Sequence, residues 1–192
     1  MAKATNDDKL AEALLGCLSI NGWEQCNPAL LARQARVPMA TAKAFLERQN
    51  CCRKLATFIT RLTLRDYRHD KQNTSRDALF DIMMLRFDVL QNNRAAIENL
   101  SHAARRDPRL AIAILQALPE QMAALLRSAH CGDTSPTNTI ALTAIYLAVF
   151  AVWSRDETAD LTRTMAALDK QLNRAEAARN KLSFICKTPN GF

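Results

Sequence analysis

Residues Leu30–Leu46 read LLARQARVPMATAKAFL. Two short helical patterns meet in this stretch. Leu30, Leu31 and Ala35 give the first its apolar face, ARVP makes the turn, and Pro38 opens a second run, Pro38–Leu46, only about two turns long. Ala32 and Ala35 are small enough to let two helices touch. That is the pattern of a helix–turn–helix, in which Met39, Ala40, Thr41 and Lys43 at the start of the second helix face the major groove of duplex DNA and flanking bases meet phosphates. An ordinary helical hairpin can carry the same pattern, and on these residues alone both readings stand.

Outward from this segment the chain reads as helices throughout. Toward the N-terminus, Leu10, Leu14, Cys17 and Leu18 mark a helix over about 7–21, with Asp7 and Asp8 at its positive end and Asn21-Gly22 as its stop. Trp23 follows as a plug beneath it, and Asn27-Pro28 starts the next helix. Toward the C-terminus, Asn50 is expected to cap a helix with Leu55, Phe58, Ile59, Leu62 and Tyr67 in one stripe. The polar stretch HDKQNTS, 69–75, is the best boundary in the chain. Beyond it the periodicity predicts a helix of about 15 residues from Ser75, another from Arg94 to about Arg105, and a longer one from Asp107-Pro108 that Pro119 should kink or break. TIALTAIYLAVFAVW, 139–153, is apolar on nearly every face and calls for burial all round. A last helix over about 156–180 keeps Leu161, Met165, Leu168 and Leu172 together. Val-Ile-Thr alternation is nearly absent, so the expected class is all-α: an N-terminal three-helix helix–turn–helix unit followed by a C-terminal helical bundle, about nine helices in all.

The charge is uneven. The chain carries +7, and residues 1–76 hold 13 Lys and Arg against 7 Asp and Glu, whereas residues 77–192 hold 13 against 12. Within 30–68 the count is 9 against 2, an electrostatic footprint for a polyanion centred on the quoted segment, or else a solvated basic face. The six cysteines fall at no zinc spacing, and adjacent Cys51 and Cys52 are poorly placed for a mutual disulfide. His69, His102 and His130 stand at no recognisable distance from a nucleophile or metal ligand, and no glycine-rich loop is present to cradle a phosphate. These features predict no catalytic residue, no metal site, no cofactor and no enzymatic activity. No apolar run is expected to reach membrane length, and the opening residues lack a signal-peptide pattern, so the expected location is the cytoplasm with reduced thiols.

Met83, Phe87, Leu118, Met122, Tyr146 and Phe150 supply an excess of flexible and aromatic side chains around Pro119. They read either as plain core or as the lining of an apolar ligand pocket, with Tyr146 and Trp153 as its polar handles.

The helix order, with three short helices, a linking helix and then longer apolar ones, resembles TetR-type transcriptional regulators. In the quoted segment Leu31, Ala32, Ala35, Val37, Thr41 and Phe45 carry the likeness. Four positions depart from the family pattern: Arg36 replaces the turn glycine, Ala40 a second glycine, Lys43 a phosphate-binding tyrosine and Gln49 a lysine. A left-handed Arg36 would be strained, so the turn is expected to be reshaped. The resemblance implies residues 1–68 as a DNA-binding domain, 75–181 as an effector-binding and dimerisation domain, and 182–192 as a tail. It implies a homodimer that binds double-stranded operator DNA, commonly as a repressor, under the control of an apolar small molecule or lipid. Arg36, Met39, Ala40, Thr41, Lys43, Arg48, Arg53 and Lys54 are the expected DNA-facing residues. The stretches RDALFDIMMLRFDVLQNNRAAI (76–97) and MAALDKQLNRAEA (165–177) further resemble a TetR-fold accessory protein of ubiquinone biosynthesis. That branch holds an isoprenoid lipid and does not bind DNA, which gives an alternative function.

Overall fold

Three helices begin on one device, a polar cap followed by proline: Asn27-Pro28, Asp107-Pro108 and Ser135-Pro136. Each cap side chain accepts from first-turn amides, and the proline sits where its missing N–H leaves no helical bond unmade. Thr74 caps another helix, and Thr5 forms a reciprocal capping box with Asp8. Each such cap stabilises its helix by about 1 kcal/mol.

The computed structural model describes residues 5–68, 74–129 and 134–185, with side chains to 178. Among the described residues there are nine α-helices and no strands: α1 Asn6–Asn21, α2 Pro28–Ala35, α3 Met39–Phe45, α4 Arg48–Asp66, α5 Ser75–Asn92, α6 Arg94–Arg106, α7 Pro108–Ser128, α8 Pro136–Trp153 and α9 Thr162–Ile185. A 3₁₀ turn, Trp23–Gln25, joins α1 to α2 behind Gly22, whose φ of 74° only glycine adopts freely. His69, His130, Cys131, Cys186, most of the 69–75 boundary and the tail from 186 lie outside the described residues.

Helices α1–α3 pack on one another, and α1 lies against α6. Helix α4 packs chiefly on α7 and also on α5, α1 and α3, while α8 pairs with α9. One apolar core therefore runs from Leu10 in α1 to Leu172 in α9.

Several local expectations change. Asn50 does not cap α4. The helix starts at Arg48, and Asn50 Nδ2 instead donates to the Ala44 carbonyl at 2.7 Å, holding the end of α3 to the start of α4. Pro119 does not break α7, which runs unbroken for 21 residues. Burial of Leu118 and Met122 on either side of it outweighs the one lost hydrogen bond. Helix α9 starts at Thr162 rather than near 156. Two helices, α7 and α8, are long and apolar enough by length and composition to cross a membrane, contrary to the expectation that no run reaches that length. Only 28% of α8 is buried within the chain, so its apolar surface is not covered all round as its composition demands. Ile140 is 66% exposed and Leu147 38%, on a face shared with Ala141, Ala144, Ala148 and Ala151.

The α8–α9 corner is built on Asp156, which is fully buried. Burial by itself would raise its carboxyl, but hydrogen bonds from the side chains of Thr158 and Thr164, then from their amides, outweigh that and hold it down to about 2. Leu161 beside it takes the left-handed conformation, φ 54°, while burying its side chain. Arg94 of α6 donates to the carbonyls of Trp153 and Asp156 and lies 4.9 Å over the Trp153 ring, placing a cation at the C-terminal end of α8. Asp156→Ala is expected to lower stability by roughly 2–4 kcal/mol in urea unfolding, because it strands buried donors. The folded carboxyl titrates below its ordinary 3.8. Its stabilisation is therefore complete above about pH 4 and is lost as pH falls toward 2, a loss that Asp156→Ala removes from the acid-unfolding curve.

Candidate nucleic-acid interface and ligand cavity

Helices α2 and α3 meet through small and apolar side chains. Leu31, Ala35, Ala42 and Phe45 are buried, which fixes one face of α3 and leaves the other outward. On the outward side, Met39, Ala40 and Lys43 are exposed, with Thr41 half-buried beside them. The turn keeps its left-handed residue despite the side chain. Arg36 ends α2 at φ 54°, ψ 49°, and the Val37 amide still closes on the Ala32 carbonyl at 3.1 Å. The expected reshaping does not occur. The strain of a non-glycine residue there, roughly 1–2 kcal/mol, is borne because α2 and α3 are held by their buried contacts.

The nine cations of 30–68 divide by partner. Arg48 meets Asp107, the α7 cap, at 2.9 Å, and Lys54 meets Asp7 at 2.8 Å while lying 5.7 Å over the Phe45 ring. Arg61 pairs with Asp8 and Arg65 with Asp66, and Arg68 donates to main-chain carbonyls. Arg33, Arg36, Lys43 and Arg53 are exposed and form no ion pair among the described residues. Of the eight residues expected to face DNA, Arg36, Met39, Ala40, Thr41 and Lys43 lie together at the turn and on α3. Arg53 is free on α4, whereas Arg48 and Lys54 are engaged with carboxylates of α7 and α1. Those two pairs follow from Asp7 in the first turn of α1 and from the α7 cap, contacts far apart in sequence.

A cavity of about 330 Å³ lies between α4, α5, α6, α7 and α8. Three of the six expected pocket residues, Leu118, Tyr146 and Phe150, line it. Met83, Phe87 and Met122 do not; each is fully buried in the surrounding core, with Phe87 stacked on Tyr146 at 5.8 Å between ring centres. Trp153 lies outside the lining, its indole Nε1 buried without a partner. A larger groove of about 610 Å³ between the start of α4 and α7 has mostly polar walls, Glu47, Arg48, Gln49, Asn50 and Arg53 among them.

The cavity wall includes no carboxylate and two cations, Arg86 and Arg105. Arg105 is exposed at the edge, and Arg86 is 1% exposed. Arg86 Nη1 donates to Thr60 Oγ1 at 2.9 Å, and the guanidinium lies 5.1 Å over the Tyr146 ring. Its Nε is buried with no hydrogen-bond partner. Burial pushes the Cys52 thiol, also in the wall, up to about 11 against the opposing charge of Arg48, so it adds no negative charge. The Arg86 signal was present in IMMLRFDVL, 82–90, where Ile82, Met83, Arg86, Phe87 and Leu90 share one helical face and the arginine interrupts an apolar stripe. Among the described residues no cluster of His, Cys, Asp and Glu could hold a metal ion.

An exposed second helix of a helix–turn–helix, set ahead of a bundle with a cavity between its helices, defines the class of fold. It is the all-α fold of TetR-type regulators. The chain is similar to a TetR transcriptional regulator from Nitrosomonas europaea ATCC 19718, with 16% identity, coverage of 90% of this chain and 99% of that one, and a TM-score of 0.69. It is also similar to a TetR transcriptional regulator from Rhodococcus sp. RHA1, with 12% identity, 88% and 93% coverage and a TM-score of 0.56. No family model matches the sequence, and no curated protein does. Neither of these two solved structures is named for ubiquinone biosynthesis.

Restoring glycine at the turn is the direct check on its strain. Arg36→Gly is expected to raise stability by about 0.5–1 kcal/mol in chemical denaturation, the relief of the left-handed penalty less the entropy of glycine.

Proposed function

We propose that this chain is a TetR-type transcriptional regulator that binds operator DNA as a homodimer and releases it when a small molecule occupies the cavity. Residues 1–68 form the reading head and residues 75–181 the effector and dimer unit. The observation that carries this reading is the outward face of the turn and of α3, where Arg36 and Lys43, like Arg33 on α2 and Arg53 on α4, are exposed and form no ion pair among the described residues. Lys43 and Arg53 meet phosphates as point charges, and Thr41 and Met39 face base edges, Met39 against a thymine methyl. Arg48 and Lys54, also among the expected DNA-facing residues, pair with Asp107 and Asp7 and so hold α4 to α7 and α1.

Helix α4 provides the link. Leu55, Ala56 and Ile59 face the cavity, while Lys54 and Arg61 tie the same helix to α1. A ligand that seats best with α4 displaced shifts the reading heads from operator spacing, and affinity for DNA falls by the same factor as affinity for the ligand does in the other direction. Dimerisation uses the uncovered face of α8 with α9, since an apolar surface of that extent marks an interface. A second reading, a lipid-holding protein that does not bind DNA, draws on the apolar cavity and on Lys43 standing where the family has tyrosine.

Salt titration of duplex binding separates the two. For a regulator, the logarithm of affinity falls by about 0.9 per logarithm of salt for each phosphate contact. Lys43→Ala, which removes two contacts per dimer, is expected to make that slope shallower by about 2, whereas Lys54→Ala leaves it unchanged and costs under about 1 kcal/mol of stability. Thr41→Ala is expected to relax preference at one half-site position by roughly 1–3 kcal/mol. Weak, sequence-blind binding at physiological salt would favour the lipid reading. Sedimentation is expected to give a dimer, and Ile140→Glu, which buries a charge in the α8 face away from the cavity wall, a folded monomer.

A further inference from the structure

Arg86 is a buried cation between apolar helices that forms no ion pair among the described residues. Its environment supplies one neutral hydrogen bond, from Nη1 to Thr60 Oγ1, and one aromatic face, Tyr146. Among the described residues no hydrogen bond is made to the remaining edge of the guanidinium, Nε and Nη2, and Nε is fully buried. A buried charge is normally paired or otherwise stabilised by its surroundings, so a guanidinium edge that no protein group bonds, set in a cavity wall, is a fitting seat for an anion.

We propose that the cavity takes an amphipathic monoanion, an aliphatic chain ending in a carboxylate, with the carboxylate on the free Nε–Nη2 edge of Arg86. This rests on the reading of the cavity as a ligand site. The planar fork of a guanidinium matches the two oxygens of a carboxylate, and a pair of N–H···O⁻ bonds is both stronger and more directional than neutral ones. The rest of the wall is dominated by Leu, Ile and Ala side chains, which fit an alkyl body, and about 330 Å³ lies near the lower end of small-molecule sites, suited to a chain of medium length. One buried cation balances one negative charge. Arg105 at the edge adds a second positive group that draws anions to the mouth without being desolvated. Desolvation of the cation is already borne by the empty protein, so the ligand completes an ion pair of which half is in place.

The test is calorimetric titration of the full chain with decanoate, decan-1-ol and decyltrimethylammonium, on the wild type, Arg86→Met, Arg86→Lys and the cavity-filling Leu118→Trp. Decanoate is expected to bind wild type at least about tenfold tighter than decanol, and decyltrimethylammonium not to bind. Arg86→Met is expected to erase the preference while keeping decanol binding, Arg86→Lys to retain part of it, and Leu118→Trp to abolish both. The apo form of Arg86→Met is expected to be at least as stable as wild type, since an apolar side chain of similar length replaces an unpaired charge. Equal binding of decanol and decanoate, or decanoate affinity unaffected by Arg86→Met, overturns the proposal and leaves the cavity reading intact. Binding of neither, or binding unaffected by Leu118→Trp, overturns the cavity reading with it. Should Arg86→Met fail to fold, the wild-type ratio and Arg86→Lys decide on the same terms.

Discussion

Helix α4 is buried on two fronts at once, against α1 and α3 toward the N-terminus of the chain and against α5 and α7 toward its bundle. Cys51, Cys52, Leu55 and Ile59 give it the apolar surface to do so, and its cations meet Asp7 and Asp8 at the start of α1 and Asp107 at the start of α7. Exposed ion pairs of this kind contribute little singly, under about 1 kcal/mol each, but they fix the rotation of a helix whose apolar contacts alone would allow some slip. The position of α3 relative to the cavity follows from that rotation. A displacement of α4 therefore cannot be absorbed locally, because close-packed neighbours on both fronts must move with it.

The same packing explains why the basic footprint is smaller than its count suggests. Nine cations lie within 30–68, yet four are bound to carboxylates and one to carbonyls, which leaves Arg33, Arg36, Lys43 and Arg53 without an ion pair among the described residues. Charge density on a chain measures potential partners; ion pairing decides how much of it faces outward. Conversely, Arg86 adds little to a count of surface charge and dominates the electrostatics of the cavity wall, since a buried charge in a low-dielectric wall outweighs several solvated ones.

The departures from the family pattern at Arg36, Ala40, Lys43 and Gln49 act at different levels. Arg36 leaves the turn geometry as it was, at a cost in strain, and adds an exposed cation with no ion pair among the described residues. Ala40 and Lys43 are exposed and change what α3 presents rather than how it packs. Gln49 joins the polar groove at the start of α4. The scaffold of the motif is thus intact, and the substitutions bear on its surface chemistry.

The helices, their order and most of their starting points were legible from the sequence because they are set by local physics: 3.6-residue periodicity, caps such as Asn27-Pro28 and Asp107-Pro108, and the shortage of strand-forming alternation. The outward turn of α3 was legible too, since Ala35, Ala42 and Phe45 leave it only one buried side. Local rules failed where a tertiary contact outweighed them. Pro119 stays within a continuous helix because its neighbours are buried, Arg36 keeps a left-handed turn because two packed helices require it, and Lys54 and Arg48 turn to acids 47 and 59 positions away. The cavity could be anticipated as an excess of pliable side chains but not delimited. Which apolar residues fill space and which border it depends on the angles between five helices, so Met83, Phe87 and Met122 went to the core while Leu118, Tyr146 and Phe150 stayed at the wall. Periodicity reports which side of a helix is buried; only the packed structure decides whether that burial is against protein or against space left for something else.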